Sequence, residues 1–294
     1  MPLVSVITCT YNGAHLIGET IKRVLSQTLT DFEYIIVDDG STDDTAEVVA
    51  AFKDSRISYF YLPNTNGHLS KLRNFGMRKS TGKYIALVDS DDIWGSQKLA
   101  VQIEEMEKNP TVGFSFTDIV IFRGTEILKE SLYQKSGTFT GSIFDGFAQN
   151  KFVICATTLV FQRQCLDIVG YEDEKLKSGD FDFTLALATH FQAFAVYSPL
   201  VRVRRHDQNF TRRLPIEKAH GVVTSYQKLF ARGRISEKRL SATLGKLCYS
   251  FAVEFVKQGD HQIAIEFLKK SIQYNFLNWK IYPRLIMAML RLRY

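Results

Sequence analysis

Several absences narrow what this 294-residue chain can be. Its four cysteines, Cys9, Cys155, Cys165 and Cys248, are scattered without a CxxC pair. Neither a thiolate zinc site nor a disulfide framework is therefore expected, and all four read as small core residues. No terminal segment combines a basic start, an apolar stretch and a small-residue cleavage site. No apolar run approaches the ~20 residues that span a bilayer. The expectation is a protein made and kept in the cytosol.

What is present is an ordinary folded composition, 45% hydrophobic and 23% charged, enough for one large or two modest domains. The charge is divided unevenly. Residues 201–294 carry 19 Lys and Arg against 6 Asp and Glu, net +13, while residues 1–200 carry 18 against 25, net −7. A basic end of this kind faces a polyanionic partner or anionic lipid, or is simply a solvated helical surface. Nucleic acid is not expected, because no recognition motif accompanies the charge.

The first ninety residues alternate two periodicities. "VSVITC" (Val4–Cys9), "YIIVDD" (Tyr34–Asp39), "ISYFYL" (Ile57–Leu62) and "YIALVD" (Tyr84–Asp89) are short apolar runs with polar exits, as parallel strands buried on both faces would be. Between the first two, Ile17, Thr20, Ile21 and Val24 fall at i, i+3, i+4 and i+7, one face of a helix. Thr45, Val48, Val49 and Phe52 repeat that spacing after Ser41 or Thr42, either of which can cap the helix, and Leu69–Met77 reads as a third helix. This order predicts an α/β fold with a doubly wound, mainly parallel sheet. Ligands of such sheets gather beyond the carboxyl ends of the strands. Those ends carry "TYN" (Thr10–Asn12), "DDGS" (Asp38–Ser41) and "DSDD" (Asp89–Asp92).

Downstream, Leu99–Met106 is predicted as an amphipathic helix, "VGFSFTDIVIF" and "FVICATTLVF" as strands, and Phe183–His190 as a helix. From Pro215 the pattern is helix after helix, placing a boundary near residue 212 between a domain 1–212 and a basic helical region 213–294. "GDHQIAIEFLKKSIQYN" resembles part of a tetratricopeptide-type helical hairpin. One such unit cannot bury its own face, so it is expected to pack on the main domain.

The "DSDD" exit crowds Asp89, Asp91 and Asp92 into four positions. Carboxylates this close repel one another and resist burial, so a cation or water must compensate. A hard divalent ion suits them, with substrate phosphate oxygens completing its coordination. On its own the tetrapeptide is equally a helix cap or a solvated turn. Its place after a fourth parallel strand, near two other polar exits, favours a site.

"VSVITCTYN", "VLSQTLTDFEYIIVDDGSTDDT", "RNFGMRKSTGKYIALVDSDDIW", "GYEDEKLKSGDFDF" and "RRHDQNFT" follow one another in an order that resembles the family-2 inverting glycosyltransferases of the GT-A fold, over about residues 1–212. The resemblance implies a nucleotide-sugar donor, UDP-linked in the favoured case, and a saccharide or lipid-linked hydroxyl acceptor in cell-surface polysaccharide or glycolipid synthesis. It places Thr10, Tyr11 and Asn12 around the base with the Tyr11 ring stacking, and Asp39 on a base N–H, while Asp38 stabilises its loop. It puts Arg73 toward base or phosphate and Asp89 on ribose. Asp91, with Asp92 as second ligand or helix cap, and His206 would hold Mn2+ or Mg2+. Asp180, or else Asp182, would be the general base that inverting transfer needs. The chain departs from the family pattern at Gly179, where a Glu is usual, and at Cys9, where Pro is frequent.

Two other functions compete. A sugar-phosphate nucleotidyltransferase would need a Gly-rich, basic phosphate loop, which "TYNGAHLIGET" lacks. A non-catalytic nucleotide-sugar-binding module would have lost acids that are present here. Finally, "WKIYPRLIMAMLRLRY" mixes aromatic, aliphatic and basic residues as an interfacial helix does, so peripheral contact with the inner face of the membrane is expected, against a core-packing helix as the alternative.

Overall fold

The β-branched run at Val4–Thr10 forms β1, and α1 (Ala14–Leu25), β2 (Phe32–Asp38), α2 (Thr45–Ala50), β3 (Ile57–Tyr61), α3 (Leu69–Lys79) and β4 (Tyr84–Asp89) follow in the alternation the periodicity predicts. This computed structural model describes residues 1–65, 67–148, 152–206, 215–275 and 283. Ile17, Thr20, Ile21 and Val24 are the buried face of α1. None of α1's own side chains caps its start. Asp43 from the β2–α2 loop does so, its Oδ2 accepting from the Ala14 amide at 3.1 Å. Its Oδ1 accepts from the Thr45 amide at 3.1 Å, so α2 also begins on Asp43 rather than on Ser41 or Thr42.

Past the "DSDD" turn come β5 (Ile93–Trp94), α4 (Lys98–Lys108), the long β6 (Val112–Arg123), β7 (Glu126–Lys129) and β8 (Thr138–Gly141). Next are α5 (Phe144–Ala148), β9 (Val160–Gln162), α6 (Leu166–Val169), α7 (Gly179–His190) and β10 (Gln192–Arg204). The sheet runs β3-β2-β1-β4-β9-β6-β10-β5, with β7 beside β6 and β8 beside β10. The first four strands are parallel throughout. β9 pairs antiparallel with β4 and β6, and β5 lies antiparallel to β10. The fold is thus α/β and doubly wound, with a mixed second half. Of the expected strand "FVICATTLVF", only Val160 and Phe161 are strand, as the start of β9. Thr158 returns both its amide (2.9 Å) and its hydroxyl (2.8 Å) to the Cys155 carbonyl, closing a 3-10 turn over Ala156–Thr158.

Two units divide the chain. The first comprises Met1–Phe144, Val153–Glu174 and Ala186–His206, and the second Asp145–Phe152, Lys175–Leu185 and Asp207–Tyr294. The first holds the sheet, and its core joins α1 to Tyr34, Tyr84, Trp94, Leu99, Ile103 and Met106. The second contains α8 (Ile216–Ala231), α9 (Glu237–Gln258) and α10 (His261–Tyr274). Ser236 caps α9 through the Arg239 amide, and Gly259, at φ +84°, ends it in the left-handed conformation that glycine adopts without strain. The hairpin closes with Phe255 stacked on Phe267 at 5.4 Å. The expected boundary at residue 212 and the segment "WKIYPRLIMAMLRLRY", apart from Pro283, lie outside the described residues. Among those described, no helix is long and apolar enough to cross a membrane.

Candidate active site

The "DSDD" turn is pinned from two sides. From α1, the Thr20 hydroxyl donates to the carbonyls of Ser90 (2.9 Å) and Asp92 (3.0 Å). From the end of β10, Arg204 donates its amide to Asp92 Oδ1 at 3.0 Å and its Nε to the Asp91 carbonyl at 3.1 Å, while its guanidinium pairs with Glu19. This anchoring gives the three acids different surroundings. Asp89 stays nearly half exposed, Asp91 is about a quarter exposed and Asp92 is buried. Burial, then repulsion from Asp89 and Asp91, pushes the Asp92 carboxyl well above the usual carboxylate range, against the opposing pull of the Arg204 amide and the Thr157 hydroxyl.

Asp91 meets His206, its Oδ2 lying 2.9 Å from His206 Nε2. A carboxylate and an imidazole suit a borderline divalent ion such as Mn2+. Among the described residues no three metal-donor side chains are grouped to hold an ion. Asp91 and His206 could hold such an ion, with substrate oxygens completing its coordination, the usual arrangement for a catalytic Mg2+ or Mn2+. Asp92 fits this set poorly, because its carboxylate is buried and accepts a backbone amide. His15 lies near His206, with ring centroids 6.5 Å apart.

Arg73 of α3 is almost buried. Its guanidinium reaches Asp89 at 3.2 Å on one side and Glu172 at 3.6 Å on the other. The neighbouring Asn74 holds Glu172 by its backbone, donating to the Glu172 carbonyl (2.9 Å) and accepting from its amide (3.0 Å). Glu172 is therefore a buried member of the Arg73–Asp89 network to which sequence reasoning gave no role. Its only signal was its place in the "GYEDE" block. Cys9 adjoins the same group, where burial pushes its thiol up to about 12 despite Arg73.

At the exits of β1 and β2 the Asp39 amide donates to the Thr10 carbonyl at 2.9 Å. The Asp39 carboxylate accepts from the Thr65 amide at 2.6 Å. Both oxygens of Asp38 are committed, one to the Ser41 amide (2.7 Å) and one to the Tyr59 hydroxyl (2.7 Å), which is the loop-stabilising part expected of it. Asn12 adopts φ +48°. Its amide donates to Ser41 Oγ and its Oδ1 accepts from the Thr42 amide, each at 2.8 Å. That makes it a strut between the two loops. Tyr11 is exposed, and Thr10 is buried with its hydroxyl unpartnered.

Thr10, Tyr11, Asn12, Asp39, Arg73, Asp89, Asp91, Asp92 and His206 thus all belong to the first unit, whereas Asp180 and Asp182 belong to the second. Asp180 Oδ1 accepts from the Phe181 amide at 2.8 Å. Asp182 lies 3.7 Å from Lys228 Nζ.

A doubly wound sheet with acids gathered at its strand exits defines a GT-A fold. The Glycosyl transferase family 2 model matches residues 5–167, and the chain belongs to that family. It is 37% identical over 126 residues, 43% of this chain and 49% of the relative, to the Escherichia coli enzyme WfgD, named a UDP-Glc:alpha-D-GlcNAc-diphosphoundecaprenol beta-1,3-glucosyltransferase. It spans only 32%, 23% and 24% of the length of uncharacterized glycosyltransferases that it matches in Rickettsia bellii, Rickettsia conorii and Rickettsia felis. Among solved structures, Staphylococcus aureus TarS 1–349 in complex with UDP aligns with a TM-score of 0.67 at 19% identity, covering 98% of this chain and 87% of that one. The Pyrobaculum calidifontis mannosyltransferase PcManGT, in complex with GDP-Man and Mn2+, aligns at 0.60 and 18%, covering 99% and 86%.

Proposed function

We propose that the chain moves a sugar from a nucleotide-sugar donor, a UDP-sugar in the favoured reading, to a hydroxyl on a saccharide or lipid-linked acceptor, with inversion at the anomeric carbon. The observation that carries this is the gathering of Asp39, Arg73, Asp89, Asp91 and His206 around the exits of β1, β2 and β4. Asp39 is suited to a base N–H, the exposed Tyr11 ring to stacking, and Asp89, held by Arg73, to the ribose. Asp91 and His206 would hold the divalent cation, which when bound supplies charge neutralisation for the leaving diphosphate. Asp92 we assign to fixing the turn.

In a single displacement the acceptor oxygen bonds to the anomeric carbon while the bond to the diphosphate oxygen breaks, its electron pair leaving on the diphosphate. The acceptor proton passes to a carboxylate. We assign that carboxylate to Asp180, because Asp182 is engaged by Lys228. The names of WfgD and of the UDP-bound TarS structure support a uridine donor and a lipid-linked acceptor. The Mn2+ of PcManGT supports a metal. The net +13 of residues 201–294 supports peripheral attachment to the inner leaflet.

The direct test incubates the protein with Mn2+ and a panel of nucleotide sugars and measures release of nucleoside diphosphate. Background hydrolysis makes a known acceptor unnecessary. Release from one UDP-sugar above the others is the expected result, and release from none would remove the transferase reading.

A further inference from the structure

The loop after β3 comes unusually close to the exit of β2. Gly40 sits at φ +78°, and a Cβ there would meet the Asn64 amide nitrogen at 2.9 Å, so this approach requires glycine at position 40. Its consequence is the 2.6 Å hydrogen bond from the Thr65 amide to Asp39 Oδ1. The hydroxyl of the same Thr65 is buried without a hydrogen-bond partner, an unfavourable state that a polar atom arriving beside Asp39 would relieve.

Nucleobases differ in what they offer a carboxylate. Guanine presents two parallel N–H donors, which a carboxylate grips only by turning both oxygens toward the base. Uracil presents one ring N–H between two carbonyls. Cytosine has an acceptor at that ring position. At Asp39 one oxygen already accepts from the Thr65 amide, so a two-oxygen grip on guanine would compete with that bond, and the same Thr65 carries the unpartnered hydroxyl.

We propose that Thr65 sets the base selectivity of the donor site: its amide holds one oxygen of Asp39 so that a single ring N–H can be received, and its hydroxyl donates to a neighbouring base carbonyl, admitting uracil and refusing guanine. The inference rests on the reading that these strand exits bind a nucleoside diphosphate. It goes beyond that reading in naming the residue that discriminates between bases.

The test is calorimetric titration of the full chain with UDP, GDP and CDP, each with Mn2+. UDP is expected to bind at least about tenfold tighter than GDP or CDP, the worth of one hydrogen bond to a charged group. Asp39→Asn keeps an oxygen for the Thr65 amide and turns an NH2 toward the base. It should reverse the ranking, weakening UDP and strengthening CDP. Thr65→Val keeps the amide and the side-chain shape but not the hydroxyl, and should weaken UDP about threefold to tenfold. Gly40→Ala, which displaces the loop, should narrow the gap between UDP and GDP. Equal binding of UDP and GDP by the unaltered protein, or a Thr65→Val protein unchanged in UDP affinity, overturns the role of Thr65 and leaves the donor-site reading intact. Binding of none of the three nucleotides overturns both.

Discussion

His206 Nε2 lies 2.9 Å from Asp91 Oδ2 although 115 residues separate them in the chain. Arg204, two residues before His206, holds the Asp91 carbonyl and the Asp92 carboxylate, so the end of β10 and the "DSDD" turn are fastened as one piece. Two donors of the proposed cation site are thereby held together. Asp91→Ala and His206→Ala should each weaken Mn2+ binding in the presence of UDP by at least about 10- to 100-fold, the loss typical of perturbing even an outer partner of a metal ligand. Titration monitored by electron paramagnetic resonance reads this without turnover. Unchanged affinity in both variants would remove the pair from the cation site.

Asp92 should behave as a structural carboxyl. Its raised pKa means that the folded state binds the proton more tightly than the unfolded chain does. Its stabilising contribution is therefore complete below the ordinary carboxylate pKa, and is lost as pH rises through the higher folded-state value. Asp92→Asn retains an acceptor for the Arg204 amide and has no proton to lose. In metal-free buffer the melting temperature of the unaltered protein should accordingly fall relative to Asp92→Asn as pH increases above the carboxylate range. Asp92→Ala leaves that amide unpaired, and should cost about 1–3 kcal/mol relative to Asp92→Asn at every pH.

Glu172 offers a sharper stability test. Its side chain is buried against Arg73, which is itself nearly buried. Removing one partner of a buried ion pair typically costs about 3–5 kcal/mol, because the other charge is left poorly compensated. Since Arg73 retains Asp89, Glu172→Ala should fall at the lower end of that range. Urea denaturation should show a lower midpoint with an unchanged slope, and a midpoint unchanged from the parent would contradict the pairing.

The chain's local periodicity displays the first half of the sheet openly, since Ile17, Thr20, Ile21 and Val24 need only their own spacing to mark a buried face. Polar exits were equally legible, because acids after β-branched runs are conspicuous. How those acids divide their work was not, for Asp89, Asp91 and Asp92 are chemically identical. The Arg204 amide that holds the buried Asp92 is delivered from 112 residues away. Glu172 depends in the same way on Asn74, 98 residues distant. "FVICATTLVF" misled because an apolar run with threonines fits a strand and a 3-10 turn alike.

The basic end of the chain makes a prediction of its own. With net +13 over residues 201–294, attraction to an anionic surface should contribute to binding and weaken as salt shortens the screening length. Flotation with vesicles containing anionic lipid should carry the protein upward at low salt and release it at high salt. Vesicles of neutral lipid should leave it behind, and no flotation at low salt would dismiss the membrane reading.

The general base is the most exacting of the assignments. Asp180 and Asp182 open α7 two positions apart and are equivalent by residue type, and Asp182 lies 3.7 Å from Lys228 Nζ. The ion pair with Lys228 gives Asp182 a structural task, so the acceptor proton is expected on Asp180. Asp180→Asn preserves size and polarity while removing basicity. It should bind UDP as the parent does, yet lower turnover by about 10²–10⁴, the usual worth of a positioned general base. Asp182→Asn should lose less, and its loss should be accompanied by a lower melting temperature, because the charge pairing between Asp182 and Lys228 is removed. Measuring UDP affinity alongside turnover separates the two cases: a fall in turnover at constant affinity identifies the base, whereas turnover near the parent's in Asp180→Asn would pass the role to Asp182.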